Sequence, residues 1–207
     1  KRQRFTIKKI MDKFENILFF ENKQNIGLAE NLNKCILHSK GEYIKFLCVD
    51  DILMPGCINK MAHILDNNND VSLVCSSRHN IDRLGRLFAI RSYSYKSQLI
   101  NGKKAINKCL FGGNFIGEPT ATMFRKNFLT SKFRKDLPQL MDMEMWFKLL
   151  EKGNLYFLKE PLCSIRIHDA QMTENNIKNG ILIKDNILLF NEFINKNYIK
   201  KNLLNIF

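Results

Sequence analysis

KFLCVDDILMP, Lys45 to Pro55, decides how this chain is read. An apolar run ends in two adjacent carboxylates, Asp50 and Asp51, and Pro55 with Gly56 then opens the way to a helical pattern. Adjacent like charges repel, and such a pair is kept where something positive sits against it. One reading has Asp50 capping the following helix and Asp51 solvated. The other has both carboxylates at the end of a buried strand, facing a ligand.

Working outward, strands and helices alternate. Upstream, NILFFE (Asn16 to Glu21) reads as a strand and GLAENLNKCILHSKG as a helix, with Leu28, Leu32, Cys35 and Ile36 at helical spacing and Gly41 as its stop. YIKFLCV is a second, more buried strand. Downstream, GCINKMAHILDNNND places Ile58, Met61, Ala62 and Leu65 on one helix face, and VSLVCSS is a third strand. DRLGR is a turn from which LFAIRSY can pair back. This order predicts right-handed crossovers and a parallel sheet core. In such a sheet, ligands bind beyond the carboxyl ends of the strands, where Asp50 and Asp51 stand. Two carboxylates there suit a hard divalent cation, Mg2+ or Mn2+, of the kind held by one or two carboxylates plus substrate phosphates.

The second half changes texture. NGKKAINKCLF reads as a helix, FGGNFIGEPTATMFRK as a loop running into a strand, and DMEMWFKLLEKG as an amphipathic helix stopped at Gly153. NLYFLKEPLCSIRIHD reads as two short strands broken at Pro161, and Glu174 to Phe207 as a mostly helical tail.

Composition bounds the function classes. The 207 residues, 45% hydrophobic and 26% charged, describe a globular chain able to bury a core. The net charge of +13 accompanies an abundance of Lys, Asn, Ile and Phe together and reads as composition bias. No zinc-finger spacing, helix-turn-helix or aromatic-basic strand motif supports nucleic-acid binding. Six cysteines, Cys35, Cys48, Cys57, Cys75, Cys109 and Cys163, are scattered singly among mostly apolar neighbours, which fits a reducing, cytoplasmic setting. No apolar run has the length of a membrane span, so the membrane association left open is peripheral, at the inner face, or through a segment outside this sequence.

Four segments, in order, resemble the nucleotide-sugar-dependent glycosyltransferases of family 2, which have the GT-A fold. NKQNIGLAENLNKCILHSKGEYIKFLCVDDILMPGCI is similar to that family's Asn-x-Gly, Gly-Glu-Tyr-Ile and Asp-x-Asp-Asp series, and GEPTATMFRK to its strand before the acceptor site. LPQLMDMEMWFKLLEKG resembles its Glu-Asp-x-Asp-x-Trp segment, and LKEPLCSIRIHDAQMT its Pro-Leu and Arg-x-His ending. The resemblance implies an α/β fold with a GT-A, Rossmann-like, mixed and mostly parallel sheet flanked by helices. Residues 1–173 would be a partial GT-A domain, and 174–207 a helical extension packing on it. The family opens with a strand, helix and strand not seen ahead of Lys1, so the chain reads as lacking that βαβ unit. Cys48 stands where family members commonly carry the first Asp of Asp-x-Asp.

By the same resemblance the protein is a transferase of polysaccharide biosynthesis. It would move a sugar from a nucleotide-diphosphate donor to a glycan or lipid-linked acceptor with inversion. Asp50 and Asp51 would bind Mg2+ or Mn2+ and the donor diphosphate, with Arg166 and His168 as further donors to it; an exposed strand pair is the alternative for those two. Asn25, Gly27 and Asn31 match a segment near the nucleotide, although Gly27 equally starts a helix. Asp142 fits the position of the general base, with Glu144 the near alternative; positions two apart on a helix do not share a face. Either acid also suits a helix N-terminus. Trp146 reads as core, Gly112, Gly113 and Glu118 as a loop that can shape an acceptor site, and His38, His63 and His79 as structural or surface. A GT-A-like domain that binds nucleotide or glycan without catalysis, or an inactive fragment, is the alternative. A basic nucleic-acid-binding protein is the third.

Overall fold

The structure, a computed structural model, describes residues 13–14, 16–168 and 171–201. In chain order its elements are α1 (Leu28–His38), β1 (Tyr43–Lys45), β2 (Ile52–Leu53), α2 (Cys57–Asn67), β3 (Val71–Ile81), β4 (Leu87–Arg91), β5 (Gln98–Ile100) and α3 (Gly102–Gly112). These are followed by β6 (Thr122–Arg125), α4 (Met141–Leu150), β7 (Asn154–Arg166), α5 (Met172–Lys178) and α6 (Ile181–Phe193). A short 3-10 turn, Pro119–Ala121, leads into β6.

One sheet runs in the order β1-β6-β3-β7-β2, with β4 added on β3 and β5 on β7. Its centre is the pair β3 and β7, parallel along almost their whole length from Val71 opposite Asn154 to Ile81 opposite Arg166. Val71, Leu73, Val74 and Cys75 are fully buried there, as expected of a strand covered on both faces. The mixed sheet flanked by helices, with a helical tail, is the class expected. The expected predominance of parallel pairs is not found: among the described strands β3–β7 is parallel and the other five pairings are antiparallel. Of those five pairs only β3–β4 is closed by a short connection; the others join strands far apart in the chain, where the long intervening segments leave either direction open.

Several expected boundaries move. NILFFE is not a strand; Ile17, Leu18, Phe19 and Phe20 are exposed irregular chain, with the Phe20 ring stacked on His38 at 3.8 Å. No described strand lies beside it to complete a hydrogen-bonded ladder. YIKFLCV keeps strand geometry only over Tyr43–Lys45. The chain does not start a helix after Asp51: β2 intervenes, and α2 has Gly56, in the left-handed region at φ 76°, as its N-cap. That removes helix capping as the role of Asp50. Pro161 does not break its segment. β7 runs unbroken for 13 residues, with Pro161 opposite Ser77 between two shifts of register, the kind of irregular position where a sheet tolerates proline. Ile58 is exposed while Cys57, Met61 and Leu65 face the core, and Leu28 and Cys35 of α1 are also exposed.

The main core lies between the sheet and α1, α3, α4 and α6. α4 is its axis. Trp146, Phe147 and Leu149 are fully buried; the Trp146 ring lies 5.7 Å from Phe124 and 6.3 Å from Phe133. Trp146 Nε1 donates to the Gly117 carbonyl at 3.0 Å, so the core residue also pins the loop that carries Glu118. On the tail, Phe193 meets Phe147 edge-on at 5.0 Å and Asp185 is buried.

Candidate functional site

The segment after β1 turns back on itself, the Asp51 amide donating to the Cys48 carbonyl at 3.1 Å. A turn there lets neighbouring carboxylates point different ways. Asp50 stays largely exposed, with His168 Nε2 3.5 Å from its Oδ2. Asp51 is drawn inward. The ladder that pairs Ile52 with Ser164 carries Asp51 alongside the end of β7, where the Arg166 amide donates to Asp51 Oδ1 at 3.1 Å. Asp51 Oδ2 accepts the Thr120 hydroxyl at 2.6 Å. The same Thr120 Oγ1 accepts the Cys48 amide at 3.0 Å, and the Thr120 carbonyl accepts Lys45 Nζ. Burial pushes the Asp51 carboxyl above its ordinary value, while the Thr120 and Arg166 donors oppose that shift. Burial likewise lowers the Lys45 ammonium and raises the Cys48 thiol, so Cys48 is a neutral group beside the carboxylates.

Asp51 and Asp142 share one cavity of about 380 Å3, whose walls also include Cys48, Asp50, Glu118 and Ile165. Asp142 stands in the first turn of α4 and its Oδ1 accepts the Met143 amide at 2.7 Å. Burial raises its carboxyl to about 7; the Glu118 charge adds to the rise, and the Met143 amide and Arg78 oppose it. Glu118 in turn faces Arg78, with 2.6 Å between Arg78 Nε and Glu118 Oε2. That pair is close in distance but lacks hydrogen-bond alignment, since both atoms are otherwise buried without such a partner.

The residues expected at the site are brought together unequally. Asp50, Asp51 and Asp142 line the cavity; Glu144 does not. Its side chain is 1% exposed, 3.7 Å from Lys148 Nζ and 4.0 Å from Arg134 Nη1, on another side of α4. Arg166 anchors the Asp50–Asp51 turn: its guanidinium donates to the carbonyls of Asp50, Asp82 and Arg83. Asn25, Gly27 and Asn31 are exposed at the start of α1, outside the cavity wall. Asn25 Oδ1 accepts the Gly27 amide at 2.9 Å, and Gly27, at φ 79°, starts the helix whose Leu28 and Leu32 reach the cavity. Asn31 Oδ1 accepts Asn22 Nδ2. Sequence reasoning missed Thr120. A threonine in a loop carries no local signal; only the approach of the Cys48–Asp51 turn, about seventy positions away, gives its hydroxyl two partners.

Among the described residues no group of three or more His, Cys, Asp or Glu side chains gathers to enclose an ion. Two carboxylates at a cavity wall still suit a divalent cation that takes its remaining ligands from phosphates and water. Among the described residues no helix is long and apolar enough to cross a membrane.

The family model for glycosyl transferase family 2 matches residues 4–131, more than half of the chain. The chain belongs to this family. Among relatives, an uncharacterized glycosyltransferase of Methanocaldococcus jannaschii is 26% identical over 176 residues, 83% of this chain and 58% of that protein. An uncharacterized glycosyltransferase of Rickettsia typhi is 30% identical over 156 residues, 73% of this chain and 48% of that protein. The chain therefore spans about half the length of the curated relatives it matches. Among solved structures, residues 1–349 of Staphylococcus aureus TarS in complex with UDP-GlcNAc superpose with a TM-score of 0.65 at 14% identity, covering 93% of this chain and 60% of that one. The complex of the same protein with UDP gives 0.64 at 13% identity, with 96% and 59% covered. At such identity the likeness concerns the fold, and the fold is that of the GT-A glycosyltransferases.

Proposed function

We propose that the full-length protein is a glycosyltransferase that moves a sugar from a nucleotide-diphosphate donor to a glycan or lipid-linked acceptor, with inversion at the anomeric carbon. The observation that carries this reading is that Asp51 and Asp142, from distant parts of a family 2 chain, line the same cavity. UDP and UDP-GlcNAc in the complexes of the similar TarS fold support a uridine nucleotide as the first donor to try. A divalent cation held by Asp50 and Asp51 would offset the charge that develops on the departing diphosphate. Arg166, through its amide to Asp51 and its guanidinium to the Asp50 carbonyl, sets the turn that presents both carboxylates. Asp142 takes the proton from the acceptor hydroxyl. The freed oxygen bonds to the anomeric carbon as the carbon–oxygen bond to the diphosphate breaks, and the leaving group departs with that electron pair. Displacement from the opposite face inverts the centre. The burial that holds Asp142 near 7 matches a base working close to neutral pH.

The test uses the full-length protein. Calorimetry with UDP is expected to show Mn2+-dependent binding that Asp51→Asn abolishes and Asp142→Asn keeps. Turnover of UDP-GlcNAc, or of whichever UDP-sugar is accepted, is expected to fall by about 10²–10⁴ in Asp142→Asn and far less in Glu144→Gln. Full turnover in Asp142→Asn, or a product of retained configuration, sinks the mechanism. UDP binding with no turnover of any donor would favour the non-catalytic reading.

A further inference from the structure

Asp185 lies on α6, in the tail, and its side chain is fully buried. Its Oδ2 accepts two backbone amides, Gln139 at 2.7 Å and Leu140 at 3.1 Å. These are the two residues before α4, and Leu140, as N-cap, brings no side chain able to accept a helix amide. The first N–H groups of a helix have no partner within it, and a carboxylate placed there also meets the positive end of the helix dipole. Here that carboxylate comes from a residue 45 positions away rather than from the helix itself. Two further contacts hold the same stretch to the tail. Asn176 Nδ2 donates to Gln139 Oε1 at 2.8 Å, and Arg134 bridges both oxygens of Glu192 at 2.7 Å. Asp185 and Glu192 are seven positions apart, two turns, and so share the face of α6 turned toward this segment.

Asp142 stands two residues beyond this cap, in the first turn of α4, and so its placement in the cavity depends on how that turn is held. We propose that Asp185 is a positioning residue for the transfer reaction: by capping α4 from the tail it fixes the first turn in which Asp142 faces the cavity. This rests on the reading of Asp142 as the base. The tail thereby becomes part of the catalytic apparatus rather than a covering for the core. A buried carboxylate is costly where an apolar residue would pack; the two amides satisfy Oδ2, while Oδ1 is buried without a hydrogen-bond partner among the described residues.

The experiment compares Asp185→Ala, Asp185→Asn and Asp142→Asn in the full-length protein. Three quantities are read: UDP affinity with Mn2+, turnover of UDP-GlcNAc, and the titration of the Asp142 carboxyl by carbon NMR. Asp185→Asn keeps an oxygen that can accept both amides, and is expected to keep turnover and an Asp142 midpoint near 7. Asp185→Ala leaves the Gln139 and Leu140 amides, at the entry to α4, without their acceptor. Its Asp142 midpoint is expected to fall toward about 4 and its turnover by about 10-fold to 100-fold, while UDP affinity holds. An unchanged Asp142 midpoint in Asp185→Ala, together with native turnover, overturns the proposal. So does an equal loss of UDP affinity in Asp185→Ala and Asp185→Asn, which marks a general loss of fold. Native turnover in Asp185→Ala beside a dead Asp142→Asn rejects the cap alone. Native turnover in Asp142→Asn rejects the base, and the catalytic role of the cap with it.

Discussion

At Asp142 one carboxyl answers to two demands. A base has to ionise near neutral pH, and this one is buried enough that ionisation is delayed to about 7. In the unfolded chain the group titrates near about 3.9. Between those values the folded state holds the extra proton, so raising the pH across that window costs stability, and the loss levels off above about 7. Asp142→Asn has no such cost and its amide oxygen can still accept the Met143 amide. The variant is therefore expected to melt higher than the native chain at pH 8, with the difference shrinking as pH falls toward about 4. Melting curves by circular dichroism across that range decide the matter; a difference independent of pH would place the ionisation of Asp142 elsewhere. Behind Asp51, Thr120 settles which of two adjacent carboxylates turns inward. Its hydroxyl takes Asp51 and leaves Asp50 to solvent and His168. The pair Asp50–Asp51 was legible in the sequence because charge after an apolar strand is unusual. The division of labour between them was not, because it depends on a hydroxyl that only folding brings near.

Among the elements, the seating of α3 on α4 is the least forgiving contact. A Cβ built on Gly102 would lie 2.1 Å from the Gly153 carbonyl oxygen and 2.2 Å from that of Leu150, both backbone atoms that cannot swing aside. Gly102→Ala is expected to cost about 1–3 kcal/mol in denaturant unfolding. Gly112→Ala, at the other end of the same helix with nothing within 4 Å of its added Cβ, is expected to stay within about 0.5 kcal/mol. Equal effects would show that α3 does not rest on α4 in this way. α4 itself was readable in advance, since MDMEMWFKLL has the acids at its start and the large apolar residues that the core needs. β7 was not. Pro161 argues locally against a continuous strand, and only the register with β3 finds it an irregular position where a sheet tolerates proline.

Over the whole molecule, the net charge of +13 and the acidic cavity pull against each other. Among the described residues lining the cavity there are four carboxylates, Asp50, Asp51, Glu118 and Asp142, and no lysine or arginine. Three cations stand just behind that lining, Lys45 on the Thr120 carbonyl, Arg78 on Glu118 and Arg166 on the Asp50–Asp51 turn. Binding to duplex DNA should be weak, independent of sequence, and lost at moderate salt, because counterion release alone drives it. Fluorescence anisotropy with a labelled duplex across a salt series measures this. Tight binding of one sequence at physiological salt would move the function to nucleic acid.

The sequence by itself determined the family, the alternation of strands and helices that makes an α/β sheet, the two candidate carboxylate positions, and the burial of Trp146. Each of these depends on residues close together in the chain or on a pattern carried by composition and spacing. Tertiary structure alone decided which strands run antiparallel, that Asp142 and not Glu144 faces the cavity, that Arg166 spends its guanidinium on backbone carbonyls, and that Asp185 caps α4. These outcomes depend on hydrogen bonds between groups tens of positions apart. Their formation requires the packed core to bring both partners together, and no local propensity records it.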